Sequence, residues 1–179
     1  MRCLFGKNKS MKMPLTPEQE EIFFEHLPHR INLLIAFRER FSGQNLSKSL
    51  KPEEFRDLYR CAKDISMLMV RFFCAEVGLK IKKGADDISE GKLEGKNYIA
   101  DRVSLTSIQN DPCFDGLRRI LIAANRAVAH IDLKDINHDI SDLELISAIH
   151  FVEEEIIKTK IYRSREDFNR AMNLPSNRM

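Results

Sequence analysis

The chain has 179 residues, 43% hydrophobic and 31% charged, with Lys+Arg 29 against Asp+Glu 27. That length and balance suit one globular domain with a real core. The net charge of +2 excludes the large basic excess of a non-specific nucleic-acid binder, although a local basic face stays open.

No apolar run approaches the roughly 18 residues that span a bilayer, so no membrane partner is expected. Residues 1–15 read as a flexible segment. The start, Met1-Arg2-Cys3-Leu4-Phe5-Gly6, has too few apolar residues for a signal-peptide core. Met11 and Met13 leave a later start open, and the expected location is the cytoplasm. The four cysteines, Cys3, Cys61, Cys74 and Cys113, form no Cys-x-x-Cys pair. Three stand among helical apolar residues, which suits reduced thiols in a core.

Residues 16–175 read as a single helical domain. Thr16-Pro17-Glu18-Gln19 is a helix start, with Thr16 as cap and Gln19 completing a capping box. Ile22, Phe23 and Leu27 follow as a stripe, and Pro28 predicts a kink or break. The pattern resumes through Ile31, Leu34, Ile35 and Phe41. Pro52-Glu53-Glu54 opens the second helix. Its stripe runs through Phe55, Leu58, Tyr59, Ala62, Ile65, Met69, Phe72 and Phe73 to a stop at Gly78. Met67, Leu68 and Val70 widen it, so this helix is expected to be the most buried, serving a core or a partner face.

Residues 80–97 predict a mobile loop, rich in lysine, acid and glycine and showing no strand-turn-strand signal. They lack the phosphate-loop order of glycines and lysine, and no cofactor is expected. Residues 98–110 fit a short helix or an extended piece. Asp111-Pro112 opens a third helix running to about residue 130. Ser141-Asp142-Leu143-Glu144 is a second capping box before Leu145, Ile146, Ile149, Val152, Ile156 and Ile157. Ser164 starts a short last helix, ended by Pro175. The expected fold is all-α: an up-and-down bundle of four to five main helices with a short C-terminal helix.

Polar chemistry gathers at the end of the third helix, in Asn125-Arg126-Ala127-Val128-Ala129-His130-Ile131-Asp132. In helical projection Arg119, Arg126 and His130 lie within about 20 degrees of one line. Leu117, Leu121, Ala124 and Val128 take the opposite side. Two guanidinium groups can grip a phosphate, and an imidazole can move a proton near neutral pH. Asp132 could orient that imidazole. The same residues also suit a solvated face and cations placed at a helix C-terminus.

This segment resembles the motif region of HEPN domains, all-α bundles of prokaryotic defence and toxin systems, whose abortive-infection members often read Arg-Asn-Lys-x-x-Ala-His. Asn125, Arg126, Ala129 and His130 match, while Ala124 stands where the family places its arginine. The resemblance implies His130 as catalytic histidine, with Arg126 substituting for the arginine. It implies RNA as substrate or ligand, bound by Asn125, Arg119 and Arg126, with Asp132 in support. It equally implies an inactive relative kept for dimerisation or RNA binding.

Other constellations are weaker. Glu25, His26 and His29, and the set Asp132, Asp135, His138 and Asp139, lack a zinc spacing, so no metal site is assigned and a metal-binding bundle ranks third. His150 aligns with Ile146 and Ile157 and predicts a histidine at the edge of the core. Arg163, Arg165, Arg170 and Arg178 read as a solubilising tail. The resulting expectation is a non-catalytic interaction or regulatory module, a homodimer or one bound to a protein partner. A HEPN-like RNA-binding protein or metal-independent ribonuclease is the alternative.

Overall fold

The computed structural model describes residues 15–41, 50–82, 85–93, 100–129, 140–162 and 164–173. The described residues are overwhelmingly helical, so the fold is all-α. Four long helical stretches form the core. The first comprises α1 (Pro17–Glu21), a π-helical stretch (Ile22–His26) and α2 (Leu27–Phe41). Next come α3 (Pro52–Glu76) and α5 (Phe114–Ala129). The last joins α6 (Asp142–Phe151) to a second π-helical stretch (Val152–Ile161). Around the bundle, α2 packs on α3, α3 on α5, α5 on α6, and α6 closes back on α2.

The chain ends of these helices follow from local chemistry. The Gln19 N–H donates to Thr16 Oγ1 at 3.3 Å, and the Thr16 N–H donates to Gln19 Oε1 at 2.9 Å. Ser141 and Glu144 form the same reciprocal box at the start of α6. α5 begins slightly later than Asp111-Pro112 suggests. Asp111 instead accepts the Cys113 N–H at 2.9 Å, in a turn that leads into the helix.

Pro28 does not break the first helix. The Leu27 N–H donates five residues back to Ile22 O, so the backbone shifts to π bonding just before the proline. Pro28 has no N–H to offer the preceding turn. The Tyr162 hydroxyl donates to Phe23 O in that turn at 2.8 Å, across 139 residues of chain. Tyr162 also meets Phe23 and Phe168 edge to face. The C-terminal helix α7 (Arg165–Asn173) thus closes over both π stretches. Ser164 caps it, accepting the Asp167 N–H at 3.1 Å. Pro175 lies outside the described residues.

The described part of residues 80–97 holds structure that its composition hides. β1 (Leu79–Ile81) and β2 (Ile88–Glu90) pair antiparallel, with Leu79 opposite Glu90 and Ile81 opposite Ile88. Three-residue strands are too short to establish an alternating pattern, and the pairing draws on burial of Leu79 and Ile88 in the core. Residues 100–104 form neither helix nor strand, and α4 (Leu105–Ile108) is one helical turn.

Helix α3 is not the most buried element. It buries Ser66, Met67, Val70, Phe73 and Cys74, yet Leu58 keeps 49% and Ile65 38% of its surface. Cys61 is exposed as well, against the expectation of a core thiol. The apolar stripe is wider than the strip that α2, α5 and α6 cover. His150 is also exposed. Its alignment with Ile157 assumes α-helical phase, whereas Val152, Ile156, Ile157 and Ile161 bury at steps of four and five along the π stretch.

Candidate functional site

Helix α5 is amphipathic as its sequence requires. Leu117, Ile120, Leu121 and Ala124 are buried, and Arg119, Asn125 and Arg126 lie towards solvent. Ala124, at the position of the family arginine, is only 1% exposed. That position faces the core, about 140 degrees around the helix from Arg119.

The two arginines of the stripe point to different partners. Arg119 pairs with Glu144 in the first turn of α6. Gly116, about one turn earlier, lies under the same side chain, and a Cβ there would make ordinary contact with Glu144 at 3.6 Å. Arg126 pairs with Asp86 between the two strands, Nη2 lying 3.0 Å from Oδ2 and 3.3 Å from Oδ1. Arg118 adds a bond from Nη1 to the Asp86 carbonyl at 3.3 Å. The cations therefore join α5 to α6 on one side and to the hairpin on the other. Asn125 is half-buried beside them. His130 and Asp132 lie outside the described residues, as do Asp135, His138 and Asp139.

A second polar cluster was not visible in the sequence. Asp142, the first residue of α6, accepts from the Tyr59 hydroxyl and from Lys63 Nζ, the latter at 3.0 Å. Lys63 also donates to the Ile140 carbonyl at 2.6 Å. Burial, reinforced by the bond to Asp142, pushes the Tyr59 phenol up to about 12. At neutral pH it is a hydrogen-bond donor and not a base, so the cluster fastens α6 to α3. The one-turn spacing of Tyr59 and Lys63 was readable; their shared partner 79 residues beyond Lys63 was not.

A third cluster lies between α2 and the second π stretch. Glu153 accepts from Arg38 at 2.7 Å and from Lys158 at 2.9 Å. The ammonium of Lys158 also lies 5.0 Å from the centre of the Phe168 ring. At the other end of α7, Arg170 stacks 4.9 Å from the centre of the Phe24 ring, so this arginine packs on the bundle as well as solubilising it. Arg163 and Arg178 lie outside the described residues.

The Cys74 and Cys113 thiols are not poised as nucleophiles. Burial raises the Cys74 thiol far above its usual value, and burial with the Asp111 hydrogen bond takes Cys113 to about 12. His26 pairs with Glu21 at 3.5 Å. Among the described residues no three His, Cys, Asp or Glu side chains gather as a metal site. Among them, too, no helix is long and apolar enough to cross a membrane.

The chain matches no family model, and no curated protein or solved structure is significantly similar to it.

Proposed function

We propose that this protein is a non-catalytic interaction or regulatory module, acting through its helical surface on a protein partner or a second copy of itself. The observation that carries this reading is the use made of the α5 cations. Arg119 and Arg126 are ion-paired to Glu144 and Asp86, which belong to two other elements of the same bundle. Those carboxylates offset part of the positive charge that a phosphate would meet there. Cations that meet carboxylates of neighbouring elements support a structural use of this face more than a turnover site.

RNA cleavage is the decisive test. The purified protein and its His130→Ala and Arg126→Ala variants are incubated with single-stranded RNA, without added metal. The expected result is no cleavage by any of them. Cleavage by the unaltered chain that disappears in His130→Ala would overturn the proposal in favour of a HEPN-like ribonuclease. RNA binding that weakens in Arg119→Ala and Arg126→Ala, without cleavage, would make RNA the partner.

A further inference from the structure

We propose that α1 with its π turn and α7, at opposite ends of the described chain, form a latch that opens as one unit and is held shut by the Tyr162 hydroxyl. The latch does not depend on what the protein acts on.

Its origin is a gap in backbone bonding at Pro28. In an α-helix the Phe23 carbonyl accepts from Leu27, but here the Leu27 N–H donates to Ile22 O. In a π-helix the same carbonyl accepts from residue 28, and Pro28 has no N–H. The Tyr162 hydroxyl takes that place at 2.8 Å. A buried carbonyl that loses its donor costs more than an average bond returns. A π turn near the start of the domain is thus completed by a side chain near its end.

Both ends hang on this junction. α1 has no buried residue, and its main contacts are with the π stretch that follows it. Among its described side chains α7 buries only Phe168 and Ala171, and it packs on the two π stretches. Tyr162 lies between them, its ring edge to face with Phe23 and with Phe168. Arg170 of α7, over the Phe24 ring at 4.9 Å, is a second tie. The circuit of contacts from α2 through α3, α5 and α6 passes through neither end. Segments with so little core of their own open at lower free energy than the core. When α7 lifts, the Phe23 carbonyl loses the Tyr162 donor and the π turn loosens. When the π turn opens, Tyr162 loses its acceptor and one of its two ring partners. Each departure weakens the other end, which makes the opening cooperative. It uncovers the Phe23, Tyr162 and Phe168 rings, all buried in the closed protein.

Hydrogen exchange on the whole chain tests the latch. Tyr162→Phe keeps the ring and removes the hydroxyl. Exchange should quicken about tenfold, by the same factor, in residues 20–27 and 168–173, and stay unchanged in α3 and α5. An alanine at position 28 restores a backbone donor to the Phe23 carbonyl, from residue 28 itself or from Leu27 if the turn reverts to α. In a Pro28→Ala background, Tyr162→Phe should therefore quicken exchange by less than about threefold. Phe168→Ala alters α7 alone, yet it should quicken residues 20–27 as well, and it carries the test if Tyr162→Phe fails to fold. Unchanged exchange, quickening confined to residues 168–173, quickening spread evenly through α3 and α5, or an undiminished effect beside Pro28→Ala would overturn the proposal. None of these outcomes touches the non-catalytic reading, which fails on RNA cleavage.

Discussion

Glu153 accepts from a guanidinium and an ammonium at once, and its ionisation carries a measurable consequence. Burial alone would raise its carboxyl; donation from Lys158 and Arg38, with their charges, outweighs this and holds it below the ordinary value of 4.5. Bonds to Glu153 and Glu39 outweigh burial at Arg38, and bonds to Glu154 and Glu153 do so at Lys158, so both are raised. A carboxyl depressed in the folded state stabilises the fold above its unfolded pKa, and that contribution is lost as pH falls through the folded value. The melting temperature of the unaltered protein should therefore drop more steeply than that of Glu153→Gln between about pH 5 and pH 3. Scanning calorimetry across that range decides it, and parallel declines would refute the role given to Glu153. The residue types of this cluster were plain in the sequence. The charged run Glu153-Glu154-Glu155 reads as a solvated face, yet Glu153 lies 2.7 Å from Arg38 of α2. Long-range pairing of this sort leaves no local signal.

Elements end where backbone geometry forces them to, and Gly78 is the sharpest case. It has φ of +87° at the corner between α3 and β1, and a Cβ there would meet Gly91 O at 3.2 Å. The Gly91 N–H donates back to Gly78 O at 2.7 Å, so the corner also pins the end of the hairpin. Gly78→Ala should cost about 1–2 kcal/mol, the strain of a left-handed alanine. Urea unfolding monitored by circular dichroism checks this, and an unchanged midpoint would mean the corner relaxes freely. The stop at Gly78 and the caps at Thr16, Ser141 and Ser164 were all legible, because each depends on residues a few positions apart. The hairpin beyond Gly78 was not legible, since its strands are held by the core under Leu79 and Ile88.

At the scale of the whole molecule, one core joins all four long stretches, with Leu27, Leu34, Phe37, Phe73, Leu117 and Leu145 almost fully enclosed. Leu145 and Leu143 stand two residues apart on α6 and report opposite environments, the first fully buried and the second 77% exposed. Leu145→Ala should lose about 2–5 kcal/mol through lost burial and the cavity left behind. Leu143→Ala should change stability by no more than about 0.5 kcal/mol. Paired denaturation curves test both, and equal losses would contradict the packing described for α6.

The sequence by itself determined the helical class, the ends of most helices and the polar face of α5. Those properties follow from periodicity and capping within one or two turns of chain. Only the tertiary structure decided what the α5 cations meet, because Asp86 and Glu144 reach them from separate elements. It also decided which part of the α3 stripe is core. A helix carries its apolar residues wherever its sequence puts them, but neighbouring helices set how much of that surface is covered, and here Leu58, Cys61 and Ile65 are left facing outward.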